Sequence, residues 1–162
     1  MTIVTRIAGL RTNALAALVG LLIEFVLGTT LYGQVPKAVQ GHGTFGAFGE
    51  VIVSGPLLLT LHAIVGTLIV VSAVTALVRA VLLRMTGFIV LTAIAFVAVL
   101  LAWFGGSAFA DTLAAGAARA LEWSTAVALL GYAIVLFIRI PDRYDESAPH
   151  GTSRPANLQV TK

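Results

Sequence analysis

Glu24 sits in the middle of an otherwise apolar run from Ala14 to Tyr32. A charged side chain at the centre of a membrane helix costs roughly 2.5–3.5 kcal/mol, so such a residue faces the interior of a bundle and marks a functional site by default. Its surroundings agree, because Ala16, Gly20, Glu24 and Gly28 recur every fourth position and form a small-residue face that another helix can approach closely. A carboxyl group there can carry a proton, ligate a metal or anchor a ligand. The structural alternative is a hydrogen bond to a neighbouring helix.

His62 is the partner that spacing selects. It follows Pro56 by roughly 9 Å of helix rise, and Glu24 precedes Tyr32 by roughly 12 Å, at ~1.5 Å per residue. The two therefore lie within about one turn in depth, on spans joined directly in sequence. A Glu–His hydrogen bond satisfies both groups; its functional forms are a proton relay, a quinone contact or a metal site. Glu122, towards the outer end of the last apolar run, can join this cluster, with Arg119 one turn earlier as its salt-bridge partner. His42 and Glu50, with His62, make an N,N,O donor set for a metal, although their spacing matches no compact metal motif. The segment from Gly41 to Gly46 reads G-x-G-x-x-G. That dinucleotide fingerprint requires a preceding strand and a following helix, so these glycines are read instead as letting a loop fold back over the mouth of the bundle.

The elements that must position these residues are four apolar blocks, at 14–32, 57–78, 87–104 and 120–138. A helix needs roughly 20 apolar residues to cross a bilayer core, and each block is of that length. Composition agrees: of 162 residues 59% are apolar and 10% charged, and the mean hydropathy is +1.00. Soluble domains carry about a quarter charged residues. The expectation is an all-α, four-helix transmembrane bundle over residues 1–140, followed by a polar, disordered cytoplasmic tail at 141–162. Asn13 is read as a cap of the first span, and Ser54-Gly55-Pro56 as the start of the second. The link from Gly105 to Ala118 is read as a loop or an extension of the last helix capped by Asp111. A cleavable signal peptide is disfavoured, because the first run is too long and contains Glu24.

Charge asymmetry sets the expected orientation. Arg6, Arg11, Arg79, Arg84, Arg139, Arg143, Arg154 and Lys162 fall on one side, against Lys37 and Arg119 on the other. By the positive-inside rule the first side is cytoplasmic, with both termini there, and Tyr32, Trp103 and Trp123 form an outer aromatic belt. The basic residues lie between apolar blocks rather than along a stripe, which argues against a nucleic-acid partner. Cysteine is absent, which excludes disulfides, thiolate metal sites and iron–sulfur clusters.

The first span, the loop containing Glu50 and the segment Leu61-His62-Ala63-Ile64-Val65-Gly66 resemble four-helix membrane haem proteins, with the haem A synthase family nearest in style. That resemblance implies His62 as an axial haem ligand and Glu50 as a loop acid. Bis-histidine haem needs a second histidine on a facing helix, whereas here His42 is in a loop and His150 in the tail. The whole chain resembles small four-span proteins of bacterial plasma membranes, and this implies topology alone. Three function classes follow. The chain is expected to be a non-catalytic accessory subunit of a larger membrane complex, with other membrane subunits or its own copies as partners. The alternatives are a haem- or quinone-binding redox protein using His62 and Glu24, and a proton-coupled transporter.

Overall fold

The computed structural model describes residues 3–31 and 33–138. Four long helices dominate: α1 (Ile3–Leu31), α3 (Leu57–Leu83), α4 (Thr86–Thr112) and α5 (Ala115–Phe137). A 3-10 turn (Lys37–Val39) and a short helix, α2 (Gly43–Ser54), lie between α1 and α3. All four long helices are long and apolar enough to cross a membrane, and the chain fits a multi-pass integral membrane protein. The described residues form an all-α bundle. Going round it, α1 packs on α3, α3 on α4, α4 on α5, and α5 returns to α1.

Packing is by size rather than by polarity. The buried face of α3 carries Ala73, Ala76 and Ala80 between Leu59 and Ile69 at one end and Leu83 at the other, and that of α4 includes Ala95, Ala98, Val99 and Ala102. Larger side chains point outward at the same helical spacing: Val71, Val74 and Val78 on α3, and Val90, Ile94, Val97 and Leu101 on α4. In water this arrangement would expose a large apolar area. In lipid it costs nothing, and the small inner residues let backbones approach so that dispersion holds the helices together. Gly131 shows how close they come, since a Cβ there would stand 2.9 Å from the Ala95 Cβ.

Three boundaries differ from the sequence reading. Asn13 is no cap, because α1 begins at Ile3 and runs through it. Arginine and threonine do not break a helix, so the helix continues past the segment that hydropathy identifies as lipid-immersed. Likewise α3 runs on through Val81, Leu82 and Leu83 and ends at Arg84, which is left-handed with φ 56°. The expected Gly105–Ala118 link shrinks to Leu113 and Ala114, with Leu113 left-handed at φ 53°. Gly105 and Gly106 stay helical within α4. At Gly105 the absence of a side chain lets α5 approach, a Cβ there being 3.3 Å from the Leu121 nitrogen. Asp111 consequently belongs to α4 and caps nothing on α5. Residues 139–162, including the expected tail, lie outside the described residues.

The long link between the first two spans is folded. Gly41 and Gly43 take φ values of 81° and 73°, which favour glycine, and they turn the chain into α2. Asp111 holds this turn: the Gly43 N–H donates to its carboxylate at 3.0 Å, and the Gly41 N–H donates to its carbonyl at 3.2 Å. Phe45 and Phe48 then pin α2 to α4. The Phe48 and Trp103 rings lie 4.9 Å apart, and Phe45 meets Phe104 edge-on at 5.9 Å. At the far end of α2 the Thr60 hydroxyl donates to the Val51 carbonyl at 2.9 Å. So α2 roofs one end of the bundle, seated on α4 and α3.

The opposite end carries the arginines. Arg11 Nη2 donates to the Ile138 carbonyl at 2.8 Å, and Arg6 reaches the Leu82 carbonyl at 3.4 Å. Arg79 packs over Gly9, which has no side chain to obstruct the guanidinium.

Candidate functional site

Glu24 on α1 and His62 on α3 meet as a salt bridge between Oε2 and Nδ1. The His62 side chain is 27% exposed and that of Glu24 12%, so the pair is largely sequestered. Gly66 makes room for the carboxylate, since a Cβ on it would stand 2.8 Å from Glu24 Oε1, while Gly28 lies beside the ring, where a Cβ would make ordinary contact with His62 Cε1 at 3.4 Å. The expected small-residue face on α1 is thus real at Gly20, Glu24 and Gly28, where Gly20 accommodates Ile69 of α3. It fails at Ala16, which is exposed, while Ala14 and Ala17 are buried. A four-residue spacing overshoots the helical repeat of about 3.6 residues, so over three steps the face rotates by roughly a third of a turn.

The pair lines a cavity of about 240 Å³ enclosed by α1, α3, α4 and α5 beneath the α2 roof. Most of its wall is apolar, aliphatic side chains being joined by Phe25, Phe48, Trp103 and Phe109. Opposite the pair, α4 and α5 contribute Ser107, Glu122 and Thr125. Glu122 therefore shares the cavity with Glu24 and His62, while no ion pair joins it to Arg119 among the described residues. Measured from the nearest helix end, Glu24, His62 and Glu122 all lie about 8–10 Å deep at ~1.5 Å per residue.

Trp103 was missed as a site residue. Expected in an aromatic belt, it instead lines the cavity, because α4 continues for more than two turns beyond it. Its indole N–H donates to Thr67 Oγ1 on α3 at 3.4 Å. Trp123 does face outward, 74% exposed, and Tyr32 lies outside the described residues.

The metal set is not assembled. His42 sits at the N-terminus of α2, Glu50 lies within α2 and accepts a hydrogen bond from Ser54, and His62 is paired with Glu24. Among the described residues no three His, Asp or Glu side chains gather so as to hold a metal ion. Nor does the site fit haem. His62 is the one histidine in the four long helices, its Nδ1 is taken by Glu24, and about 240 Å³ is below even the usual range for drug-sized ligands, ~300–1,000 Å³.

Chemically, the pair changes character on taking up one proton. Holding one proton, on Nδ1, the neutral imidazole donates to the carboxylate and leaves Nε2 as an acceptor. Holding two, one shared between Nδ1 and the carboxyl group and one on Nε2, it presents Nε2–H as a donor. In comparisons with known proteins, the chain matches no family model, no curated protein and no solved structure.

Proposed function

We propose that this multi-pass membrane protein binds one small amphipathic molecule of the quinone class in the cavity, with Glu24 and His62 meeting its oxygen. The observation that carries this reading is a salt-bridged carboxyl–imidazole pair lining an otherwise mostly apolar cavity of about 240 Å³. An apolar cavity of ~150 Å³ admits benzene, so this one suits a substituted six-membered ring. A switchable pair suits a ligand whose oxygens change character. As an acceptor Nε2 takes a hydrogen bond from a hydroxyl; as a donor it serves a carbonyl.

The chain has no cysteine, and no metal-holding cluster occurs among the described residues. On this reading the chain is an accessory, ligand-binding subunit of a larger membrane assembly. Its arginine end faces the cytoplasm of a bacterial cell on this reading. Arg6, Arg11, Arg79 and Arg84 gather there, whereas Lys37 and Arg119 lie towards the α2 end.

The test uses Trp103 as reporter in protein carrying Trp123→Phe, purified in mild detergent. A decyl-substituted benzoquinone is expected to quench Trp103 saturably, and Glu24→Leu to weaken binding about tenfold. Quenching that rises linearly with quinone, without saturation, would refute the reading.

A further inference from the structure

The cavity wall is not equally closed on all sides. Its lining residues from α2, α3 and α4 are buried or half-buried. Those exposed at the molecular surface, Phe25, Thr29 and Glu122, lie on α1 and α5. Phe25 borders the cavity and is 55% exposed on the outside. Towards the arginine end α1 and α5 are bound together: Arg11 holds the Ile138 carbonyl, and Leu10, Ala14, Tyr132 and Val135 belong to the core. Towards the α2 end the roof packs on α4 and α3 and makes no comparable contact with α1 or α5 among the described residues. The exposed part of the cavity wall therefore lies along the seam between α1 and α5, at the α2 end.

The seam opens onto lipid. The surface beside it is Leu22 and Val26 on α1, with Ala126 one turn after Glu122 on α5, all exposed. Glu122 lies about 10 Å from the start of α5 at ~1.5 Å per residue, on the threshold between this surface and the cavity.

We infer that the α1–α5 seam is a lateral entrance through which a lipid-dissolved ligand passes from the bilayer into the cavity, its polar ring leading towards Glu24 and His62 and its apolar chain left in the seam against Phe25. This rests on the ligand-binding reading above and adds two things to it: the route, and an apolar chain on the ligand. A cavity of about 240 Å³ holds the ring but not a long chain as well. A chain lying between two helices and facing acyl tails loses no apolar contact.

The experiment measures association rates by stopped-flow quenching of Trp103, in Trp123→Phe protein reconstituted into phosphatidylcholine vesicles and mixed rapidly with the decyl-substituted benzoquinone, which partitions into the bilayer. Thr29→Phe fills the seam and is expected to slow association about tenfold. Phe25→Ala widens the seam and is expected to speed it, which keeps the test open should Thr29→Phe fold poorly. Val19→Phe, adding bulk on the lipid face of α1 away from the seam, should leave the rate unchanged. Rates unaltered by both seam variants, with saturable quenching intact, would overturn the entrance while leaving the binding site standing. Slowing by Val35→Phe beneath the roof, with no response at the seam, would place entry at the aqueous end and overturn it equally. Absence of saturable quenching in the parent protein would remove the binding reading and the entrance with it.

Discussion

Gly66 lies against the carboxylate of Glu24, so close that a Cβ on it would stand 2.8 Å from Oε1. It follows His62 by one turn of α3, so a single face of that helix supplies both the partner of the carboxylate and the space it occupies. The atom that would have to move is the tip of a flexible side chain. Gly66→Ala should therefore change stability by less than about 1 kcal/mol, the low end of overpacking costs, yet displace Glu24 from His62. The check is unfolding in mixed micelles beside the quinone titration: stability near the parent's, with binding weakened. Binding at parental strength would show that the carboxylate has room to spare.

Gly131 makes the contrasting case. A Cβ there meets the Ala95 Cβ at 2.9 Å, its Cα at 3.5 Å and the Leu91 carbonyl at 3.7 Å, all on or beside the α4 backbone. Nothing flexible can yield, so Gly131→Ala has to move α5 off α4. A loss of about 1–3 kcal/mol is expected, read from the same unfolding measurement, while ligand affinity in the folded fraction stays near the parent's. A melt superimposable on the parent's would show that these two helices slide apart at no cost.

For the central pair, Glu24→Gln keeps a hydrogen-bonding group of the same shape, so folding should be nearly normal while proton exchange is lost. Glu24→Leu leaves the imidazole without its partner and should cost roughly 1–3 kcal/mol. Combining Glu24→Leu with His62→Leu should recover part of that loss. A double-mutant cycle is expected to yield a coupling of about 0.5–3 kcal/mol, as for contacting polar neighbours. A coupling of zero would contradict the contact.

Orientation is tested by labelling. The chain has no native cysteine, so background is nil. Single cysteines at Thr44 in α2 and Ala115 at the start of α5 should react with a membrane-impermeant thiol reagent on intact cells. Cysteines at Thr2 and Ser153 should react only after lysis. Labelling of Ser153→Cys in intact cells would reverse the charge-based orientation.

How much of this was legible beforehand depended on which force set each feature. Hydropathy located four spans because solvent selects side chains one at a time: a run of apolar residues is favourable in lipid whatever packs beside it. The depth of Glu24 and of His62 was equally readable, since helix rise is fixed and the two spans are consecutive. Spacing alone placed both residues at one level, and the cost of leaving either against lipid turned them towards each other. Other features were invisible because they depend on contacts between distant segments. Whether Gly105 and Gly106 end a helix is decided by the approach of Leu121 on α5, and that decision carried Trp103 from an expected belt into the cavity wall. Whether the stretch after Gly43 forms a loop or a helix is decided by Asp111, far along the chain, and by the aromatic seat at Trp103 and Phe104. Ala16 fell off the small-residue face because the inner surface of α1 is defined by where α3 and α5 lie around it, which a four-residue rule cannot express. The exposed stretch of cavity wall at Phe25, Thr29 and Glu122 is the extreme case. It is set by how the other elements hold α1 and α5, and no residue of either helix announces it.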